Sequence, residues 1–216
     1  MREPKPSSAL MVAVMTAGNR GTRWLGDVSP DRMSFADARN HVAEFVTDHL
    51  ADEADGVVWV DSDIVPAPDS IHRLLTTVEQ GGYDFLSGVY HARNGEHRPV
   101  FYNVDERGKL RQGVFYEMDK IVEVGAAGFG FVYTSTRLLL AIKALPKPTE
   151  RTGWFHYGEI SEDLYFCQLA RQAGFKLYVD TGIQVGHQGA AVTVTRDTYL
   201  AALAARSGGQ LPKEMK

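Results

Sequence analysis

The stretch Gly56-Val57-Val58-Trp59-Val60-Asp61-Ser62-Asp63 decides the fold. Gly56–Val60 carries no charge, is too short for a helix and is rich in β-branched residues, so it reads as a buried central strand. The run stops abruptly at two carboxylates. Open α/β sheets bind their ligands beyond the carboxyl ends of the strands, which is where Asp61 and Asp63 fall. Strand alternation sends residues i and i+2 to one face, so the two can converge on one hard cation, or on a cation and a sugar hydroxyl. A turn cap ahead of Pro66 is the plainer alternative, and one carboxylate would suffice for it.

Upstream of that strand, Ser34 or Asp37 can cap a helix over Phe35–Leu50, with Phe35, Ala38, Val42, Phe45, Val46 and His49 near one face. Earlier still, Leu10–Thr16 reads as a first strand, broken by Gly18-Asn19-Arg20-Gly21. Downstream, Pro66 and Pro68 lead into a helix over Asp69–Gln80, capped by Asp69 and stopped by Gly81-Gly82, and Asp84–Tyr90 is a strand. The alternation then loosens. Val100–Asn103, Val114–Met118 and Ile121–Val124 read as short strands, and glycine-rich Gly125–Gly130 feeds the strand Phe131–Thr134. Helices are expected over Thr136–Ala144, Ser161–Ala173 and Arg196–Arg206, a strand over Lys176–Val179, and a loop over Val185–Gly189 carrying His187. The pattern predicts an α/β fold with a Rossmann-like first half and a mixed extension, on a single, mostly parallel sheet flanked by helices. One domain is expected over residues 1–216, with a first half to about 90, a second to about 190, then a terminal helix and tail.

Composition narrows the function. The 216 residues are 44% hydrophobic and 23% charged, and 23 Lys+Arg against 27 Asp+Glu give a net charge of −4. That argues against a general nucleic-acid binder, which needs a strong basic excess. The segment His91–Arg111 has only a slight positive bias. The single cysteine, Cys167, excludes an internal disulfide framework and a Cys-rich zinc site. No apolar run approaches the ~18 residues of a membrane span. The run Ala9–Met15 is followed by Thr16-Ala17-Gly18-Asn19-Arg20 and not by a cleavage site, so it reads as a strand and a cytoplasmic protein is expected.

Two enzyme families use a string like Asp61-Ser62-Asp63-Ile64-Val65. It resembles the first motif of haloacid-dehalogenase-type phosphatases, whose first Asp is a nucleophile. It also resembles the Asp-x-Asp motif of glycosyltransferases with the A-type (GT-A) fold. The phosphatase motif normally follows the domain's first strand and is answered by an acidic pair after a later strand. Here Asp105-Glu106 runs into the turn at Arg107-Gly108, and Glu162-Asp163 opens a helix. The transferase reading finds partners in chain order: Ala38-Arg39-Asn40, Gly88-Val89-Tyr90 with Arg93, Gly125-Ala126-Ala127-Gly128-Phe129-Gly130, the run from Gly158 to Cys167, and Gly186-His187-Gln188-Gly189. From about Val12 to Gly189 the chain resembles compact bacterial and phage members related to family-two glycosyltransferases. The stretch Gly18–Ser34 is shorter than the helix and strand that family usually has there.

The resemblance implies transfer of a sugar from a nucleotide-diphosphate donor to an acceptor hydroxyl, with Mn²⁺ or Mg²⁺ as cofactor. It implies a metal group of Asp61, Asp63 and His187, in which Asp61 more naturally takes a ribose hydroxyl or a metal-bound water. Thr16, Arg39, Asp61, Gly128 and Gly130 would face the donor, and Glu162 and Asp163 the acceptor. Asp163 would be the base if the anomeric centre inverts; with retention the pair would position the acceptor. Each residue also has a plainer role. His187 suits a surface loop and the glycines a tightly packed bulge. Glu162 and Asp163 suit a helix first turn, and Arg39 an ordinary ion pair. Trp154, Phe155, His156 and Tyr157 could stack on a sugar or pack on the core. A nucleotidyltransferase, which also needs carboxylate-bound metal, is a third possibility, but Leu10–Thr22 shows no basic glycine-rich loop for a triphosphate; a sugar-binding module without catalysis is the non-enzyme alternative. Donor base, acceptor and oligomeric state are not legible.

Overall fold

The computed structural model describes residues 22–26, 33–147, 153–189 and 192–207. The expected first strand, Leu10–Thr16, and with it the donor-facing role of Thr16, lies outside them. The elements in chain order are α1 (Phe35–His49), β1 (Gly56–Val60), β2 (Ile64–Val65), α2 (Ser70–Gly81), β3 (Phe85–Val89), β4 (Phe101–Val104), β5 (Leu110–Gln112), β6 (Ile121–Val124), β7 (Ala126–Ala127), β8 (Phe131–Ser135), α3 (Thr136–Ala144), α4 (Glu162–Gln172), β9 (Leu177–Gln184), β10 (Gly186–Gln188), β11 (Thr193–Val194) and α5 (Arg196–Arg206).

The fold is mixed α/β, as expected. A five-stranded sheet runs β1-β8-β3-β9-β6. β3 and β9 pair parallel, β8 runs antiparallel to β1 and β3, and β6 antiparallel to β9. Strands β1, β3 and β9 therefore share one direction. Beside this sheet stand two three-stranded ones, β11-β10-β2 and β5-β4-β7, where a single, mostly parallel sheet was expected, and among the described residues only the β3–β9 pairing of the main sheet is parallel. Strand alternation divides the core. Phe85 and Val132 join Leu138, Leu139 and Phe166 of α3 and α4 on one face; Leu86, Phe131 and Tyr133 join Ile71 and Leu74 of α2 on the other.

Several expectations need correction. Every residue of β3 and β8 is buried, whereas in β1 only Trp59 is, and among the described residues β1 pairs on one side only. The central position expected of Gly56–Val60 thus belongs to its neighbours. Helix α1 buries Ala36, Arg39, Val42, Ala43, Val46 and Thr47 and leaves Phe35 63% exposed, so its inner face is rotated from the one its apolar residues trace. The charge of Arg39 causes the rotation, because its partners lie inside. Val114–Met118 is not a strand; β5 forms instead at Leu110–Gln112, paired with β4 across a turn in which Asp105 accepts from the backbone of Arg107 and Lys109. Val185–Gly189 is not a loop, since β10 occupies most of it. Asp69 precedes α2 without a side-chain capping bond. Helices α3 and α5 have the expected bounds, with Ser135 and Thr195 as side-chain caps.

Tight packing seats the start of β1. A Cβ on Gly56 would lie 2.4 Å from the Thr134 carbonyl and 2.6 Å from the Tyr133 ring. Gly56→Ala is therefore expected to destabilise the fold by about 1–3 kcal/mol, read as a lower urea midpoint. An unchanged midpoint would mean that β1 and β8 tolerate separation at that end.

Candidate functional site

The site gathers where β1 ends. The Asp61 backbone N–H donates to the Gly130 carbonyl (3.0 Å), and its carbonyl accepts from Ile64 N–H (3.0 Å), closing the tight turn that carries Asp61, Ser62 and Asp63 into β2. β2 pairs with β10 in the register Ile64↔His187, and Gln188 N–H donates to the Asp63 carbonyl (2.7 Å). That ladder brings His187 to Asp63 from 124 positions later in the chain.

Arg39 is the centre of the site. From α1 its Nη2 donates to both oxygens of Asp61 (2.9 and 3.2 Å), and its Nη1 to Glu162 Oε1 (3.0 Å) and Asp163 Oδ1 (2.5 Å). The guanidinium carbon stands 5.4 Å from the Phe129 ring centroid and 5.7 Å from that of Phe155. Burial works against its charge, but Asp163, Asp61 and Glu162 outweigh that and hold its proton more tightly than usual. Its neighbour Asn40 fixes the segment that leads into α4. Asn40 Oδ1 accepts from the backbone of Trp154 (2.8 Å) and Phe155 (2.9 Å), and Nδ2 donates to the Phe155 carbonyl (2.8 Å).

Glu162 and Asp163 open α4 behind the Ser161 cap. Asp163 Oδ2 also accepts from Phe129 N–H (3.1 Å), which ties α4 to the glycine-rich segment. Burial pushes the Asp163 carboxyl up to about 6 against the lowering pull of Arg39. Asp61 is raised as well, by burial first, again opposed by Arg39. The half-exposed Tyr157 hydroxyl is pushed up to about 12, by burial first and then by the charge of Glu162. Trp154 and Phe155 pack into the core, so of the expected aromatic run Tyr157 is the exposed ring.

Asp63 lies in a second group. Its Oδ2 is 3.4 Å from His187 Nε2 and 3.0 Å from Arg93 Nη1. His187 Nδ1 lies 2.8 Å from the His91 carbonyl. That carbonyl can only accept, so Nδ1 donates to it and Nε2 is the ring nitrogen that faces Asp63. One carboxylate oxygen beside one imidazole nitrogen is a donor pair of the kind a Mn²⁺-type ion can use, but it supplies only two protein ligands. Asp61 turns to Arg39 instead of joining them. Among the described residues no group of three or more His, Cys, Asp or Glu is close enough to hold a metal.

The expected residues thus fall into a cluster of Arg39, Asp61, Glu162 and Asp163 and an adjoining pair, Asp63 and His187. Gly128 and Gly130 do not open toward a sugar: a Cβ on Gly128 would lie 2.0 Å from the Tyr90 hydroxyl, and one on Gly130 2.8 Å from the Tyr90 ring. Tyr90 fills the space those glycines leave. Asn40, Tyr90 and Arg93 lie within motifs the sequence displays, but their roles depend on contacts too distant in sequence to infer.

A further consequence concerns pH. A carboxyl raised to about 6 from the usual 3.8 binds a proton in the folded state that the unfolded state has lost. The cost of ionised Asp163 is thus full above about 6 and is relieved as pH falls toward 3.8. Without Arg39, Asp61 and Asp163 lose the charge that lowers them. Arg39→Gln is expected to cost about 3–5 kcal/mol at pH 7.5, with a smaller deficit at pH 5 in urea titrations. An equal deficit at both would show that lost packing, not stranded charge, is the cause.

No protein-family model matches the chain, and no curated protein matches it. Among solved structures, A197 from STIV superposes with a TM-score of 0.60 at 17% identity, over 89% of this chain and 86% of that one. A putative glucose-1-phosphate thymidylyltransferase from Bacillus anthracis, in complex with sucrose, reaches a TM-score of 0.41 at 15% identity, over 95% of this chain and 74% of that one. The first likeness shows a shared fold; the second is too loose to argue from. No helix among the described residues is long and apolar enough to cross a membrane.

Proposed function

We propose that this chain transfers a sugar from a nucleoside-diphosphate donor to an acceptor hydroxyl. The observation that carries the reading is the convergence, at the end of β1, of the acidic start of α4 with Asp61 around Arg39, next to the Asp63–His187 pair. Glycosyl transfer needs a base and a diphosphate-binding group within reach of one anomeric carbon, and the nearness of these two groups supports the reading.

Asp163 is the base in this scheme. It takes the proton of the acceptor hydroxyl as that oxygen forms its bond to the anomeric carbon. The bond from that carbon to the diphosphate oxygen breaks, and the diphosphate leaves with the electron pair. Each carboxylate oxygen of Asp163 makes one hydrogen bond and keeps acceptor capacity for the incoming hydroxyl. A value near 6 suits a base working at neutral pH. Glu162, between Arg39 and Tyr157, orients the acceptor. Asp63 and His187 would hold a divalent ion, Mn²⁺ or Mg²⁺, which supplies positive charge to the departing diphosphate. The phosphatase reading wants a second acidic pair after a later strand, but Glu162 and Asp163 open α4 and Asp105 sits in the turn between β4 and β5.

Calorimetric titration of UDP and GDP with and without Mn²⁺ tests the donor site. One nucleotide should bind in a Mn²⁺-dependent manner, and Asp63→Ala should abolish it. Failure of both nucleotides under all conditions overturns the reading. With a donor in hand, kcat should rise with pH through about 6 and level above it, because the ionised carboxylate is the active form. Asp163→Asn should lower kcat by about 10²–10⁴-fold with nucleotide affinity retained. A loss confined to Glu162→Gln would move the base to Glu162.

A further inference from the structure

Arg93 has no part in the scheme above, yet it stands on the residue that would hold the ion. It follows β3, and its Nη1 forms an ion pair with Asp63 Oδ2 (3.0 Å) and donates a hydrogen bond to the Gln188 carbonyl (3.1 Å). The same oxygen of Asp63 faces His187 Nε2. One carboxylate oxygen is thus shared by a guanidinium and an imidazole. An ion coordinated by that oxygen and that nitrogen would have to displace the guanidinium, because two cations would otherwise compete for one oxygen at contact distance. The Arg93 side chain is 49% exposed, against 8% for Arg39, so its ion pair is water-screened and readily exchanged. Its planar fork is also suited to non-bridging phosphate oxygens.

We infer that Arg93 is an exchangeable counter-cation: it neutralises Asp63 in the resting protein and passes to the donor's diphosphate when a divalent ion takes Asp63 and His187. Ion and nucleotide then bind together, and the ion alone binds poorly. This rests on the donor reading proposed above. It assigns Arg93 a binding role in addition to a positioning one, because the charge released from Asp63 is delivered to the diphosphate.

The test is a titration of Mn²⁺ alone, followed by the paramagnetic resonance of the free ion, against wild type, Arg93→Gln and Arg93→Lys. Arg93→Gln should bind Mn²⁺ about tenfold more tightly than wild type, and Arg93→Lys, which keeps the charge, about as wild type does. Adding Asp63→Asn to Arg93→Gln should remove the gain. With saturating Mn²⁺, the nucleotide that binds wild type should bind Arg93→Gln about tenfold more weakly. Equal Mn²⁺ affinity in wild type and Arg93→Gln overturns the counter-cation role. Unchanged nucleotide affinity overturns the transfer to the diphosphate. If neither UDP nor GDP binds wild type, the donor reading fails and the transfer with it, while the Mn²⁺ comparison still decides whether Arg93 holds the ion's place.

Discussion

The structure turns on one buried cation. Taking a guanidinium out of water costs several kcal/mol unless opposite charge meets it inside, and Arg39 is met by three carboxylates from two distant parts of the chain. The cluster thereby fixes α1, the end of β1 and the start of α4 in one arrangement, since movement of any one would strand a charge. Rings of Phe129 and Phe155 close the sides, their π faces compatible with a cation. Three carboxylates over-answer one guanidinium. The surplus negative charge adds to burial in raising Asp163, so the feature that organises the fold here also sets the proton affinity of the proposed base.

Around that centre the backbone does the rest of the positioning. Asn40 anchors the Trp154–Phe155 segment that leads to α4, and the β2–β10 ladder delivers His187 to Asp63. Behind His187, the His91 ring stacks on Tyr199 of α5 with centroids 5.3 Å apart, and Tyr199 is fully buried. The terminal helix therefore packs against the core behind this pair, and the backbone carbonyl of His91 holds the imidazole.

What the sequence displays and what it hides follow from the range of the interactions. The bounds of α3 and α5 rest on local caps, Ser135 and Thr195, and are legible. The apolar run Gly56–Val60 marks a strand, but whether a strand is central depends on pairing partners such as β8, some seventy residues away. Periodicity misplaces the inner face of α1 because it scores Arg39 as a surface residue, whereas the carboxylates of Asp61 and of α4 make burying it favourable. The acidic pairs and His187 stand out as residue types at telling places. That Asp61 and Asp63, two residues apart, turn to different arginines is invisible in the string, because Arg39 and Arg93 lie on opposite sides of them in the chain. The glycines at 128 and 130 read as room for a ligand and prove to be room for Tyr90, a substitution of neighbour that composition does not reveal.

The two arginines make the same kind of bond in different surroundings, and that difference separates scaffold from moving part. Charges drawn together at about 3 Å interact several-fold more strongly in a desolvated setting than at a wetted surface. Arg39, enclosed by protein, forfeits that energy if it moves and finds no water to replace it. Arg93, half in solvent, exchanges one set of hydrogen bonds for another at small cost. In the reading proposed above, a diphosphate would add negative charge beside Asp63, where the half-exposed guanidinium of Arg93 can respond. Burial, more than residue identity, thus decides which cation holds the acidic cluster in place and which can be given to a ligand.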